Sequence, residues 1–213
     1  MDTIHVTGGN ALKGKIKISG SKNSALPILA ATLLTSSEIK LMNVPKLSDI
    51  SSMINLLESL NVNIAMKKNN SYKLKANKPN SLFASYELVR KMRASFLILG
   101  PLLTKYGLAK VSLPGGCAIG TRPVDIHLEN LEKMGAKFSI KNGYVEGKVK
   151  RKLKGTVINF KKKSVGATEN IIMAATLATG KTIINNAAME PEIFDLCNFL
   201  KKMGARIKGH GTE

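Results

Sequence analysis

The residues best equipped for chemistry sit in one short run, LPGGCAIGTRPVDIH, residues 113 to 127. Cys117 is one of only two cysteines in the chain, and it stands among Gly115, Gly116 and Gly120, five residues before Arg122. A thiol acts as an acid or a nucleophile only when its pKa is tuned, and nearby cations lower it. Glycines let backbone N–H groups face an anion and let a loop move as a lid. The plainer alternative is a surface loop with an incidental thiol. Pro123 suits the first position of the helix PVDIHLENLEKMG. Cys197, inside IFDLCNFL, reads as a core residue of an amphipathic helix.

Three further cations stand where helices begin. Lys22 opens GSKNSALP with Ser21 or Ser24 as N-cap, Arg93 lies in RKMRASFL, and Lys162 precedes Ser164 in KKKSVGATEN. Helix N-termini expose free N–H groups and collect anions, whereas a cation there disfavours the helix itself. Cations at all three starts point to a negatively charged ligand. The competing explanation is that lysine is common everywhere in this chain. His127 either lines the same site or caps its helix, His5 belongs to a strand, and His210 to a frayed end. Glu190 and Glu192 bracket a proline as N-terminal dipole partners.

These positions fall in a repeat. ALPILAATLLT, ASFLILGPLLT and ENIIMAATLAT end at Thr35, Thr104 and Thr179, 69 and 75 residues apart. Each is followed by a strand-like run, then a proline, and then a second helix ending in SLNVNI, KMGAKF or KMGARI, with Asn61, Gly135 and Gly204 as left-handed caps. The unit is helix, strand, helix, strands, and such units bury their helices against one another. Residues 1 to 20 read as two strands outside the units. The third unit stops before its last strands, which leaves an unpaired edge.

The chain has 213 residues, 44% of them hydrophobic, enough for one sizeable core or two small ones and too apolar for disorder. Its apolar runs are far shorter than the roughly 20 residues of a membrane span. The start MDTIHVTGG carries no secretory pattern, and two cysteines make no disulfide framework. The expectation is a cytoplasmic, reduced protein. The net charge of +19 raises nucleic acid as a partner. Against it, the basic residues are 28 Lys and only 5 Arg, accompanied by 17 Asn, and aromatics are 5%. That composition matches AT-rich coding more than nucleic-acid readout. No HExxH, CxxC pair, carboxylate cluster, GxxxxGK[ST] or GxGxxG appears, so no metal or nucleotide-loop motif is indicated.

Taken together, GSKNSALPILAA, MRASFLILGPLL, VSLPGGCAIGTRPVDIHLENLEKMGA, SVGATENIIMAATLA and NAAMEPEIFDL resemble the UDP-N-acetylglucosamine enolpyruvyltransferases, over residues 2 to 213. The resemblance implies an α/β fold, the inside-out α/β barrel, with two domains of three units facing across a cleft. Residues 22–213 would form the first domain, its last unit incomplete, and residues 1–21 a strand segment of the second. The implied reaction moves the enolpyruvyl group of phosphoenolpyruvate to the sugar 3-hydroxyl and releases phosphate, in the first committed step of peptidoglycan synthesis. No metal or organic cofactor is implied.

By position, Lys22, Asn23 and Arg122 would contact phosphoenolpyruvate. Cys117 would be the general acid and the target of fosfomycin. Arg122, Pro123, Val124, Asp125 and Ile126, with Lys162, Lys163, Ser164 and Val165, would hold UDP-N-acetylglucosamine, and Arg93 would help close the site. Family members are about twice as long, and the second domain supplies a carboxylate and further arginines. The chain is therefore expected to need that domain, in cis or in trans. The shikimate-pathway enolpyruvyltransferase is the alternative within the fold, and the cysteine loop and GSKN argue against it. A basic nucleic-acid-binding protein is the alternative outside it.

Overall fold

The segments ALPILAATLL, ASFLILGPLL and ENIIMAATLA have too few polar positions for a helix with one wet face, so each must be covered on all sides. The computed structural model of the protein describes residues 3–9, 11–90, 92–113 and 124–212. In it the three segments become α1 (Lys22–Ala31), α4 (Leu99–Tyr106) and α6 (Val165–Ala175). A 3₁₀ turn, Thr32–Leu34, extends α1, and another, Arg93–Ile98, leads into α4. Every residue of α6 from Ala167 to Ala174 is buried.

The three segments meet at the centre. α4 packs on α6, and α1 packs on the 3₁₀ turn before α4. A second set, α2 (Ser48–Ser59), α5 (Asp125–Lys133) and α7 (Pro191–Lys202), is amphipathic and flanks the first. α3 (Tyr86–Val89) is a single turn. α5 opens at Asp125, later than a helix with Pro123 as its first residue, and the Asp125 carboxyl suits that first turn.

The sheets lie outside the helices. β1 (Ile39–Leu41), β2 (Val62–Lys67) and β3 (Ser71–Ala76) form one antiparallel sheet in the order β1-β3-β2. β4 (Phe83–Ala84), β5 (Leu108–Ser112), β6 (Ala136–Lys141) and β7 (Tyr144–Val149) form a second in the order β4-β5-β7-β6, with β4 parallel to β5. β8 (Val157–Asn159) and β9 (Ile183–Asn185) pair in parallel. α2 packs on β2, and α5 on β6. The β6–β7 register sets Phe138 opposite Gly147, where any side chain would strike the Phe138 ring and Leu103. Asn142 and Gly143, both at positive φ, close that hairpin with the two-residue turn its twist favours. Asn61, Gly135 and Gly204 all adopt left-handed φ just past α2, α5 and α7.

Two sequence expectations are corrected here. Residues 3–9 and 11–19 pair with no strand among the described residues, and Ile4, Val6, Leu12, Ile16 and Ile18 are exposed. A strand needs a ladder partner for its N–H and C=O groups, and alternation in sequence cannot supply one. His5 is accordingly exposed and not in a strand. His210 is not frayed, because its ring packs against Phe194 with centroids 5.2 Å apart. Cys197 is fully buried, and burial pushes its thiol up to about 11 against a smaller opposing effect of Lys201. It is inert core, as its sequence context indicates.

Candidate functional site

At one end of the central helices, helix N-termini and loop cations come together. Ser21 is the N-cap of α1, with its Oγ accepting from the Ser24 N–H at 3.3 Å. Ser164 does the same for α6, accepting from Ala167 N–H at 3.3 Å. Each cap satisfies one donor and leaves other first-turn N–H groups to face outward. Arg93 begins the 3₁₀ turn before α4. These three starts, with the beginning of α5, wall a cavity of about 790 Å³.

Lys22, Asn23, Arg93, Lys162, Lys163 and Ser164 all line the cavity. Val124, Ile126 and Val165 line it too. Asp125 sits on the exposed side of α5 and is not part of the wall. Cys117, Arg122 and Pro123 lie outside the described residues. Val124, the first described residue after that loop, is buried at the cavity edge.

Of the acidic partners, only Glu192 stood out in the sequence, and there as a helix-dipole partner. Lys22 Nζ pairs with Asp49 of α2 at 3.0 Å, both partly exposed, a pair worth little to stability. Asn23 Nδ2 donates to Glu192 Oε1 of α7 at 3.3 Å. Glu169, in the second turn of α6, is buried. Desolvation, then the nearby Glu192 and Glu190, raise its pKa to about 8. Four cationic side chains therefore face three carboxyls, one of which is held neutral near neutral pH. The cavity suits an anion with more than one negative group.

His127 of α5 lines the same space and is 5% exposed. Burial first, and then Arg93, lower its pKa to about 4. Its ring stands edge-on to Phe96 at 5.3 Å. Asn170, deep in α6, bonds to His127, to Phe96 and to Gly100. A signal for Asn170 existed in the sequence: a polar residue inside the apolar run ENIIMAATLA must find partners when buried. Among the described residues no group of three or more His, Cys, Asp or Glu could hold a metal ion. Nor is any helix there long and apolar enough to cross a membrane.

The model of the EPSP synthase (3-phosphoshikimate 1-carboxyvinyltransferase) family matches residues 6–213. The chain belongs to that family. Among curated relatives of this family member, the UDP-N-acetylglucosamine 1-carboxyvinyltransferase of Campylobacter hominis is 53% identical over 213 residues, all of this chain and 50% of that protein. The one from Endomicrobium trichonymphae is 55% identical over the same span and 51% of its length. The one from Pelagibacter ubique is 56% identical over 208 residues, 98% of this chain and 50% of its own. The chain spans about half the length of the curated relatives it matches.

Solved structures give the fold. The enolpyruvyl transferase NikO from Streptomyces tendae superposes with a TM-score of 0.82 at 20% identity, covering 97% of this chain and 48% of that one. EPSP synthase from Acinetobacter baumannii superposes with a TM-score of 0.75 at 18% identity, covering 96% and 47%. The fold is thus the enolpyruvyltransferase fold, with helices inside and sheets outside.

Proposed function

We propose that this chain is the first domain of a UDP-N-acetylglucosamine 1-carboxyvinyltransferase that acts in the cytoplasm at the first committed step of peptidoglycan synthesis. The observation that carries the reading is the cavity: two capped helix N-termini and four cations converge on it from separate repeats. Relatives more than 50% identical bear that enzyme's name, which favours a sugar nucleotide over shikimate 3-phosphate as the acceptor.

In this reading the α6 N-terminus with Lys162, Lys163, Ser164 and Val165 holds the diphosphate, and Arg122 to Ile126 the nucleotide. Lys22, Asn23 and Arg122 grip phosphoenolpyruvate, and Arg93 closes the site. Asp125 then contributes through its backbone or after closure, since its side chain is not in the cavity wall. The Cys117 thiol gives its proton to the phosphoenolpyruvate methylene carbon while the sugar 3-hydroxyl bonds to the adjacent carbon and loses its proton. Loss of phosphate and of a methyl proton from this adduct restores the double bond as an enol ether. The same thiol is the site that fosfomycin would alkylate.

Residues 1–21 belong to the second domain in this reading, and that domain supplies the opposite wall. Orientation and water exclusion both depend on it. The test is phosphate release from phosphoenolpyruvate and UDP-N-acetylglucosamine by the 213-residue chain, with and without the second domain of a full-length relative. Release is expected only with both halves and with the sugar present. It is expected to vanish in Cys117→Ser and to persist in Cys117→Asp, which keeps a proton donor. Release by the chain alone would remove the requirement for the second wall, and release indifferent to Cys117→Ser would remove the thiol from the chemistry.

A further inference from the structure

Asn170 has a hydrogen-bonding pattern that leaves no freedom. Its Oδ1 accepts from the Gly100 N–H at 2.6 Å. Its Nδ2 donates to the Phe96 carbonyl at 3.0 Å. Both partners are backbone groups of fixed sign, one able only to donate and the other only to accept, so the amide cannot be turned over. The second Nδ2 hydrogen is then aimed at His127 Nδ1, 3.1 Å away. That ring nitrogen has to accept, so the imidazole proton sits on Nε2.

The Nε2 edge lies at the cavity, against Gly166 in the first turn of α6, where a Cβ would come within 3.6 Å of it. Among the described residues Nε2 has no hydrogen-bond partner. Arg93 from the turn before α4, Lys162 and Lys163 ahead of α6, Glu169 of α6 and Glu192 of α7 share the cavity with the ring. Protonating the ring would set an N–H against the Asn170 N–H, so the histidine reaches the cavity as a neutral donor.

We propose that Asn170 is a positioning residue that locks His127 in the Nε2–H tautomer, so that this N–H donates to a phosphate oxygen of the ligand at the α6 N-terminus. The clamp is a property of the chain alone, whereas its use on a phosphate rests on the function proposed above. Because the donor is neutral, its contribution does not fade between pH 5.5 and pH 8, as an imidazolium's would, with an ordinary pKa of about 6.5.

The experiment is nitrogen NMR of the His127 ring in the full chain, with uridine 5′-diphosphate titrated calorimetrically. The unsubstituted chain is expected to show a bare Nδ1 and a protonated Nε2 down to pH 5.5. Asn170→Asp is expected to draw a proton onto Nδ1 and to weaken uridine diphosphate about tenfold, the loss expected for a hydrogen bond to a charged group. His127→Gln, which keeps a donor at the ε position, is expected to bind severalfold tighter than His127→Asn. A protonated Nδ1 in the unsubstituted chain, or a tautomer unchanged in Asn170→Asp, overturns the clamp. Equal binding by His127→Gln and His127→Asn overturns the donor. If the unsubstituted chain fails to bind uridine diphosphate at all, the proposed function and the phosphate role of Nε2 fall together. The tautomer measurement still decides the clamp.

Discussion

Glu169 and His127 are two buried titratable groups whose protonation works in opposite directions on stability. Glu169 holds its proton to about pH 8 in the folded chain and gives it up near 4.5 when unfolded. The folded state therefore binds more protons between those values, and stability falls as pH rises through that window. His127 is neutral above about pH 4 when folded but ionises near 6.5 when unfolded. Its contribution falls as pH drops from 6.5 to 4. Glu169→Gln keeps the shape and removes the ionisation. Chemical denaturation of this variant is expected to show higher stability than the parent at pH 8 and little difference at pH 4.5. Equal stability at pH 8 would mean that the carboxylate is well solvated. At this scale the sequence exposed the cations and the thiol, because rare Arg and Cys stand out against their surroundings. Glu169 and Asp49 were hidden, because their meaning comes from partners far along the chain.

Between elements, the tightest junction is α4 against α6. Gly100, in the first turn of α4, lies against Asn170 so closely that a Cβ would overlap both its side-chain oxygen and its backbone carbonyl. Neither atom can swing away, since the carbonyl belongs to a buried helix and the amide is held at three points. Gly100→Ala is therefore expected to destabilise by at least about 3 kcal/mol, at the severe end of single substitutions, despite alanine's better helix propensity. Ser164→Ala removes one N-cap and is expected to cost about 1 kcal/mol. Urea unfolding of the two variants separates these cases, and a Gly100→Ala loss no larger than that of Ser164→Ala would show that the helices can part. Helix order and caps were legible because apolar runs, Ser caps and Gly or Asn stops act locally. The strand β4, the helical turn α3 and the 3₁₀ start of α4 were not, because neighbours and not local pattern define them.

The whole molecule carries +19 charges, yet Lys162 and Lys163 are the only lysines besides Lys22 in the described cavity wall. Nearly all of the other described lysines are exposed and lie away from that wall, so the charge is a property of the surface and not of the site. The N-terminal stretch belongs to a different balance. Ile4 is 88% exposed and Leu12 96% exposed, so residues 3–9 and 11–19 bury almost nothing against the helical body. Contact begins at Gly20, where an added Cβ would strike the Asn43 carbonyl and crowd Pro45. A segment that buries no apolar surface contributes little to folding. Deleting residues 2–19 is therefore expected to move the melting temperature by less than about 3 °C, less than a change of 1 kcal/mol brings at this size. A fall of 5 °C or more would mean that the segment docks on this domain, and would count against its assignment to the second one. Its alternation of Ile, Lys and Ser reads as a strand in sequence, because alternation reports what a segment can pair with and not whether the partner is there.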